Sequence, residues 1–236
     1  MTRHKKIPCD NQAQDRWARF YLTTAEAVCR RFGLPGRAAV RDAVRMYGES
    51  LGRQRRSFLL ENGRKPHLDN LFDNGGPLPC GERTEKEWIR SCPQEVFVNI
   101  GACPYAACWN AAHGAEIGKI FCEEFYPAYI FAAVSAKAQV NVGRELVNEG
   151  DTFCRISVYF RPANLPVEER GFYFDEFDPA YRAPRKPCPE DGFRYDLGLT
   201  LLRGCFARCA GAWLGAEGEQ FVESAADAFL QKEGLS

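Results

Sequence analysis

Residues Trp17, Phe20, Tyr21, Thr24 and Val28 recur at helical spacing within 13–32, and Gly33 follows as a stop signal. Pro35 then opens a second helical pattern over 34–56, with Val40, Ala43, Val44, Tyr47 and Leu51 on its apolar face. Residues 62–92 are rich in Gly, Pro, Asn and Asp and read mostly as loop. The period changes to two at 94–100, where Val96, Val98 and Ile100 alternate with Phe97 and Asn99. A helical stretch spans about 114–134, with Pro127 expected to break or kink it. A hairpin follows, 138–147 paired with 152–160. Ala138, Val140 and Val142 share one face of its first strand; Cys154, Ile156, Val158 and Phe160 share one face of its second. Asn148-Glu149-Gly150-Asp151 supplies the turn chemistry. Residues 162–189 carry six of the fourteen prolines and an aromatic series, Phe172, Tyr173, Phe174, Phe177 and Tyr181, interleaved with acids. That is too aromatic for a free linker and predicts an ordered loop packed over the body, as a cover to a pocket. Two helices near 195–214 and 216–232 close the chain.

These elements predict an α+β fold in one domain over 1–236. It has a small antiparallel sheet packed against helices and helical N- and C-terminal parts. The 236 residues suffice for a sizeable core, and 45% apolar with 26% charged residues is ordinary globular composition. No run of apolar residues is long enough to span a membrane, and the positive N-terminus has no apolar stretch after it. The expectation is a cytoplasmic protein without membrane contact.

Charge alters the picture in one respect. The formal net charge is zero, which argues against a nucleic-acid partner. Yet residues 1–66 hold 15 Lys/Arg against 6 Asp/Glu, and residues 67–236 hold 16 against 25. Either the two parts attract each other within one fold, or a basic surface meets an anionic partner.

Eleven cysteines is a high and odd number, open to metal binding, catalysis or plain packing as small buried hydrophobes. A disulfide framework suits a short secreted chain rather than this one. No Cys-x-x-Cys occurs, Cys205 and Cys209 sit at helical spacing, and there are only three histidines. A metal site therefore has weak support, and no metal or cofactor is expected. Phosphate-loop, dinucleotide, serine-hydrolase and zinc-protease signatures are absent.

Candidate chemistry starts from an anomaly. Glu124 falls within the apolar stripe Ile117, Ile120, Phe121 and Phe125, whereas Glu123 falls outside it. A core-facing carboxylate must be paired or hydrogen-bonded, so Glu124 is either a structural partner of an arginine or a general acid or base with a raised pKa. Cys154 sits on the apolar face of its strand, as a nucleophile, a pocket contact or a small buried residue. Cys122, Cys103 and Cys108 are weaker thiol candidates. His113, at a helix junction, is the best-placed histidine for proton transfer.

Several motifs occur in a telling order: Gly33-Leu34-Pro35-Gly36, Met46-Tyr47-Gly48, Cys103-Pro104-Tyr105-Ala106, Glu116-Ile117-Gly118, Phe121-Cys122-Glu123-Glu124 and Leu146-x-x-Glu149-Gly150-Asp151-x-x-Cys154. Over roughly 26–162 the chain thereby resembles the L-2-amino-thiazoline-4-carboxylic acid hydrolase family. The resemblance implies hydrolytic opening of a small cyclic amidine-like ring by water addition at the carbon between nitrogen and sulfur. It implies Glu124 as acid or base, Cys154 or Cys122 as nucleophile or pocket wall, and Arg144 or Arg155 holding a substrate carboxylate. Cys103, Tyr105, Glu149 and Asp151 would stand beside the substrate. Where the family pattern carries acids, this chain has Phe125 and Arg155. Three functions follow as alternatives: a hydrolase of a small heterocycle, a non-catalytic small-molecule binder or sensor using the same pocket, and a scaffold acting through the basic helices. Homo-oligomerisation stays open.

Overall fold

Two glycines decide how the longest helix is used. A computed structural model describes residues 10–73, 83–148, 150–184 and 194–235. Helix α1 covers Asn11–Glu61, capped by the Asp10 carboxylate on the Gln12 and Ala13 amides, and bends at Gly33. Gly33 has φ 60° and ψ −132°, a conformation that costs a side-chain-bearing residue most, and Pro35 restarts the helix two residues later. Both predicted N-terminal helices are therefore present as the two arms of α1.

The second arm of α1 lies on helix α4 (Ala115–Ala133) at unusually short range. A Cβ at Gly48 would stand 2.8 Å from the Phe125 carbonyl oxygen, and one at Gly52 only 2.4 Å from that of Tyr129. Helix α4 runs unbroken through Pro127, contrary to the expected break. The proline removes one backbone hydrogen bond, but α4 is held along its length by α1. Helix α6 (Tyr195–Lys232), bent at Gly215, packs along α1. Short helices α2 (Leu68–Phe72), α3 (Pro104–Ala111) and α5 (Val167–Tyr173) complete the helical part.

The sheet has strands β1 (Glu85–Cys92), β2 (Glu95–Ala102), β3 (Gln139–Gly143) and β4 (Cys154–Tyr159), all antiparallel, in the order β1-β2-β4-β3. Its inner face stacks Val96 against Val158, Val98 against Ile156 and Ile100 against Cys154 across β2 and β4, with Val140 beside Val158. These residues join the helices in one contiguous apolar core. At its centre Trp17 meets Tyr105 and Phe121 edge-on at 5.3 and 5.2 Å. The Tyr21 hydroxyl donates to the Ile117 carbonyl and the Trp109 indole N–H to that of Ala18, so these polar tips are satisfied within the core.

Three sequence expectations change. Strand β1 and α2 occupy part of the stretch read as loop. β1 is a polar edge strand with two register shifts, so it shows no clean alternation. Strand β3 ends at Gly143, so β3 and β4 are joined by a long loop rather than a four-residue turn. The described part of the aromatic segment, residues 162–184, packs over the C-terminal end of β4 and the end of α1. Phe160 contacts Tyr173 and Phe174, Lys65 Nζ reaches the Gly171 carbonyl and Asp178, and the Tyr181 hydroxyl donates to the Gly63 carbonyl. Its described residues also carry α5 instead of running as loop throughout.

Part of the charge asymmetry is met inside the molecule. Arg19 pairs with Glu233, Arg31 with Glu217, Arg41 and Arg45 with Glu124, and Lys65 with Asp178. No helix among the described residues is long and apolar enough to cross a membrane.

Replacing Gly by Ala in an exposed helix normally stabilises by about 0.5–1 kcal/mol. At Gly52 the new methyl group would press on backbone, so Gly52→Ala should instead destabilise by about 1–3 kcal/mol. Urea unfolding of the variant against the wild type checks the sign.

Candidate active site

The core-facing acid of α4 is a structural anchor. Glu124 is 6% exposed, and both its oxygens are engaged: Arg41 Nη2 on Oε1 and Arg45 Nε on Oε2. Both arginines come from the second arm of α1, so the contact closes over the Gly48 and Gly52 seam. Arg45 also reaches Asp42 at 2.9 Å. Both oxygens of Glu124 are thereby tied to α1.

A second buried carboxyl is differently placed. Glu145 lies in the β3–β4 loop and is 3% exposed. Its Oε2 is shielded from solvent and has no hydrogen-bond partner among the described residues. Burial, reinforced by Glu123 and Asp151 and opposed by Lys119, pushes its carboxyl up to about 7. The residue was invisible in the alternation. With Ala138, Val140 and Val142 facing inward, a strand continued to 147 would point Glu145 outward. The chain instead leaves the strand at Gly143, and Arg144 takes φ 50°, reversing the parity. The Glu145 amide is then tied to Asp151 Oδ2 at 3.0 Å, with the Asn148 amide on the same oxygen at 3.2 Å. These donors hold the Asp151 carboxyl below its usual range. A glycine ending the alternation two residues before the acid was the available signal.

Two thiols lie near this carboxyl. Cys154, at the start of β4, is buried, and its Sγ accepts the Leu146 N–H at 3.1 Å. Cys122, half-buried on α4 next to the buried Phe121, has Cys154, Cys103, Glu145 and Glu123 as its electrostatic neighbours. Burial raises the Cys154 thiol and raises that of Cys122 well above its usual value. Neither is poised as a thiolate. Cys205 and Cys209 lie in the core on α6, each pushed up to about 11 by burial. Among the described residues no three His, Cys, Asp or Glu side chains are grouped to hold a metal ion.

Beside this cluster opens a cleft of about 600 Å³, whose walls include Asp15, Arg19, Arg83, Cys103, Asn110 and Leu146. Leu146 ties the cleft to the buried group: its N–H meets Cys154, and its carbonyl accepts the Asn110 amide at 2.8 Å. Glu145 itself does not line the cleft and stands immediately behind it in the chain.

The remaining sequence candidates are dispersed. His113 is exposed and ends α3 in a left-handed conformation, φ 58°, its N–H on the Asn110 carbonyl. The Tyr105 ring is in the aromatic core, its hydroxyl 2.6 Å from that of Tyr195. Arg144 and Arg155 are exposed on the outer side of the sheet, both over the Phe153 ring at 5.0 and 5.2 Å; Arg155 also donates to Asn99. Glu149 lies outside the described residues. The structure thus brings Cys154 and Cys122 near Glu145, with Cys103 near Cys122, and leaves His113, Tyr105, Arg144 and Arg155 apart from that group.

The sequence profile of the L-2-amino-thiazoline-4-carboxylic acid hydrolases matches residues 15–157. The chain belongs to this hydrolase family. The match runs from α1 into β4 and includes Glu124, Glu145 and all three clustered cysteines; α5 and α6 lie beyond it. No curated protein and no solved structure matches the chain.

The two buried carboxyls should respond to replacement in opposite ways. Between pH 4.5 and 7 the folded chain holds a proton on Glu145 that the unfolded chain has released, so this group's contribution falls as pH rises through that window. Glu145→Gln should therefore match the wild type at pH 4 and exceed it by up to about 3 kcal/mol at pH 8. Glu124→Gln deprives two half-exposed arginines of their anion and should cost about 1–2 kcal/mol at pH 8. Urea melts at both pH values separate the pair.

Proposed function

We propose that this family member opens a small cyclic amidine- or thiazoline-like ring by adding water, with Glu145 as the proton-transferring group. The supporting observation is the Glu145 carboxyl itself: buried, with one oxygen unpartnered and pushed up to about 7, beside the cleft wall. A group of that pKa accepts and releases protons readily at neutral pH. In this reading the Glu145 carboxylate takes a proton from water as the water oxygen bonds to the ring carbon between nitrogen and sulfur. It returns the proton to the ring atom that leaves when the ring bond breaks. Reaching it from the cleft requires the loop segment at Leu146 to shift, as loops over active sites commonly do. Cys154 and Cys122 act as neutral thiols shaping the pocket, because burial opposes their ionisation. Glu124 holds α4 in place for this chemistry. The whole chain acts as one unit, working in the cytoplasm on a small molecule.

Mass-spectrometric turnover assays with 2-amino-thiazoline-4-carboxylate and related cyclic amidines test the reading. Glu145→Gln should lower kcat by about 10²- to 10⁴-fold, and the wild-type rate should fall about tenfold per pH unit below pH 6. Cys154→Ala should change kcat less than about fivefold, since a neutral wall residue makes no bond in the reaction. Full turnover by Glu145→Gln, with activity lost in Cys154→Ala, would replace this route with a covalent one. Tight binding without product would favour a sensor.

A further inference from the structure

We propose that the cleft is a carboxylate-binding subsite, with Arg83 as its anchoring cation and Asp15 as a built-in competitor for that cation. The proposal takes its probes from the hydrolase reading but stands on the cleft alone. Two guanidinium groups and one carboxylate face one another here: the Cys108 thiol, in the same wall, has Arg19, Asp15 and Arg83 as charged neighbours. Arg19 is already chelated, its Nε and Nη2 on the two oxygens of Glu233 at 3.3 and 2.8 Å. Arg83 is not. It meets Asp15 through a single prong, Nη1 to Oδ1 at 2.8 Å. Its Nη2 goes to uncharged acceptors, the Asn11 carbonyl and Gln14 Oε1, and Nε has no partner among the described residues.

A guanidinium fork is best satisfied by a carboxylate approaching on two prongs, which Asp15 does not provide. The fork is nevertheless held in place. Gln14 is fully buried, its amide donates to the Tyr195 hydroxyl at 3.1 Å, and that hydroxyl pairs with Tyr105. Rigid positioning of this kind lowers the cost of binding an anion. The rest of the cleft wall is uncharged and includes Cys103, Asn110 and Leu146. A ring acid anchored at Arg83 would lay its ring against Cys103 and Leu146, beside the loop that carries Glu145. The exposed pair Arg144 and Arg155 lies instead over the Phe153 ring.

Isothermal titration of the full chain with 2-amino-thiazoline-4-carboxylate and with 2-amino-thiazoline, which lacks the acid group, tests this. The acid should bind at least about tenfold more tightly than the ring that lacks the acid group. Arg83→Met should abolish that preference. Asp15→Asn, which frees the fork, should widen the preference. Equal affinities in the wild type, or a preference untouched by Arg83→Met and not widened by Asp15→Asn, would overturn the subsite. If Arg83→Met fails to fold, the direction of Asp15→Asn decides. An intact preference without turnover would count against the hydrolase reading alone, and turnover with no Arg83 dependence would count against the subsite alone.

Discussion

The structure depends on the close contact between the second arm of α1 and α4. Gly48 and Gly52 let the two backbones approach to a distance that no side chain permits. Arg41 and Arg45 then reach over the seam to both oxygens of Glu124. Packing sets the distance and the ion pairs fix the rotation of α4 about its axis. With that rotation fixed, Phe121 and Phe125 turn into the aromatic core, and Cys122 turns toward Cys154 and the β3–β4 loop. The site is positioned from a helix pair that contributes no proposed reacting group.

The chain therefore treats its two buried acids differently. Glu124 is surrounded by the basic arm of α1, whereas Glu145 sits among neutral thiols and other carboxylates. Side chains of the same kind are set to separate tasks by their neighbours, the usual way a fold reserves one carboxyl for chemistry near neutral pH. The basic N-terminal part and acidic remainder are the sequence trace of the same arrangement, since positive groups of α1 find their counterions on α4 and α6.

Much of this was legible in the chain. The helical stripes identified the two arms of α1, the Gly33 bend and the inward Glu124. The alternation of Val96, Val98 and Ile100 and of Ile156 and Val158 identified β2 and β4. Motif order pointed to the family. What escaped has a physical reason in each case. Strand β1 is stabilised by pairing with β2 rather than by its own apolar face, so its pattern is polar. Glu145 is turned inward by a single left-handed residue, Arg144, which periodicity cannot register. The arginine of the cleft, Arg83, precedes β1 at the end of a stretch with no regular pattern, and only tertiary packing sets it beside Asp15.

The central claim is that the proton-active group of this chain is Glu145. Carbon-13 NMR titration of glutamate side-chain carboxyls, with the signal assigned by its loss in Glu145→Gln, measures this directly. The account predicts one carboxyl that titrates near pH 7 and disappears in that variant. A Glu145 signal titrating near 4.5, among the ordinary surface glutamates, would contradict it.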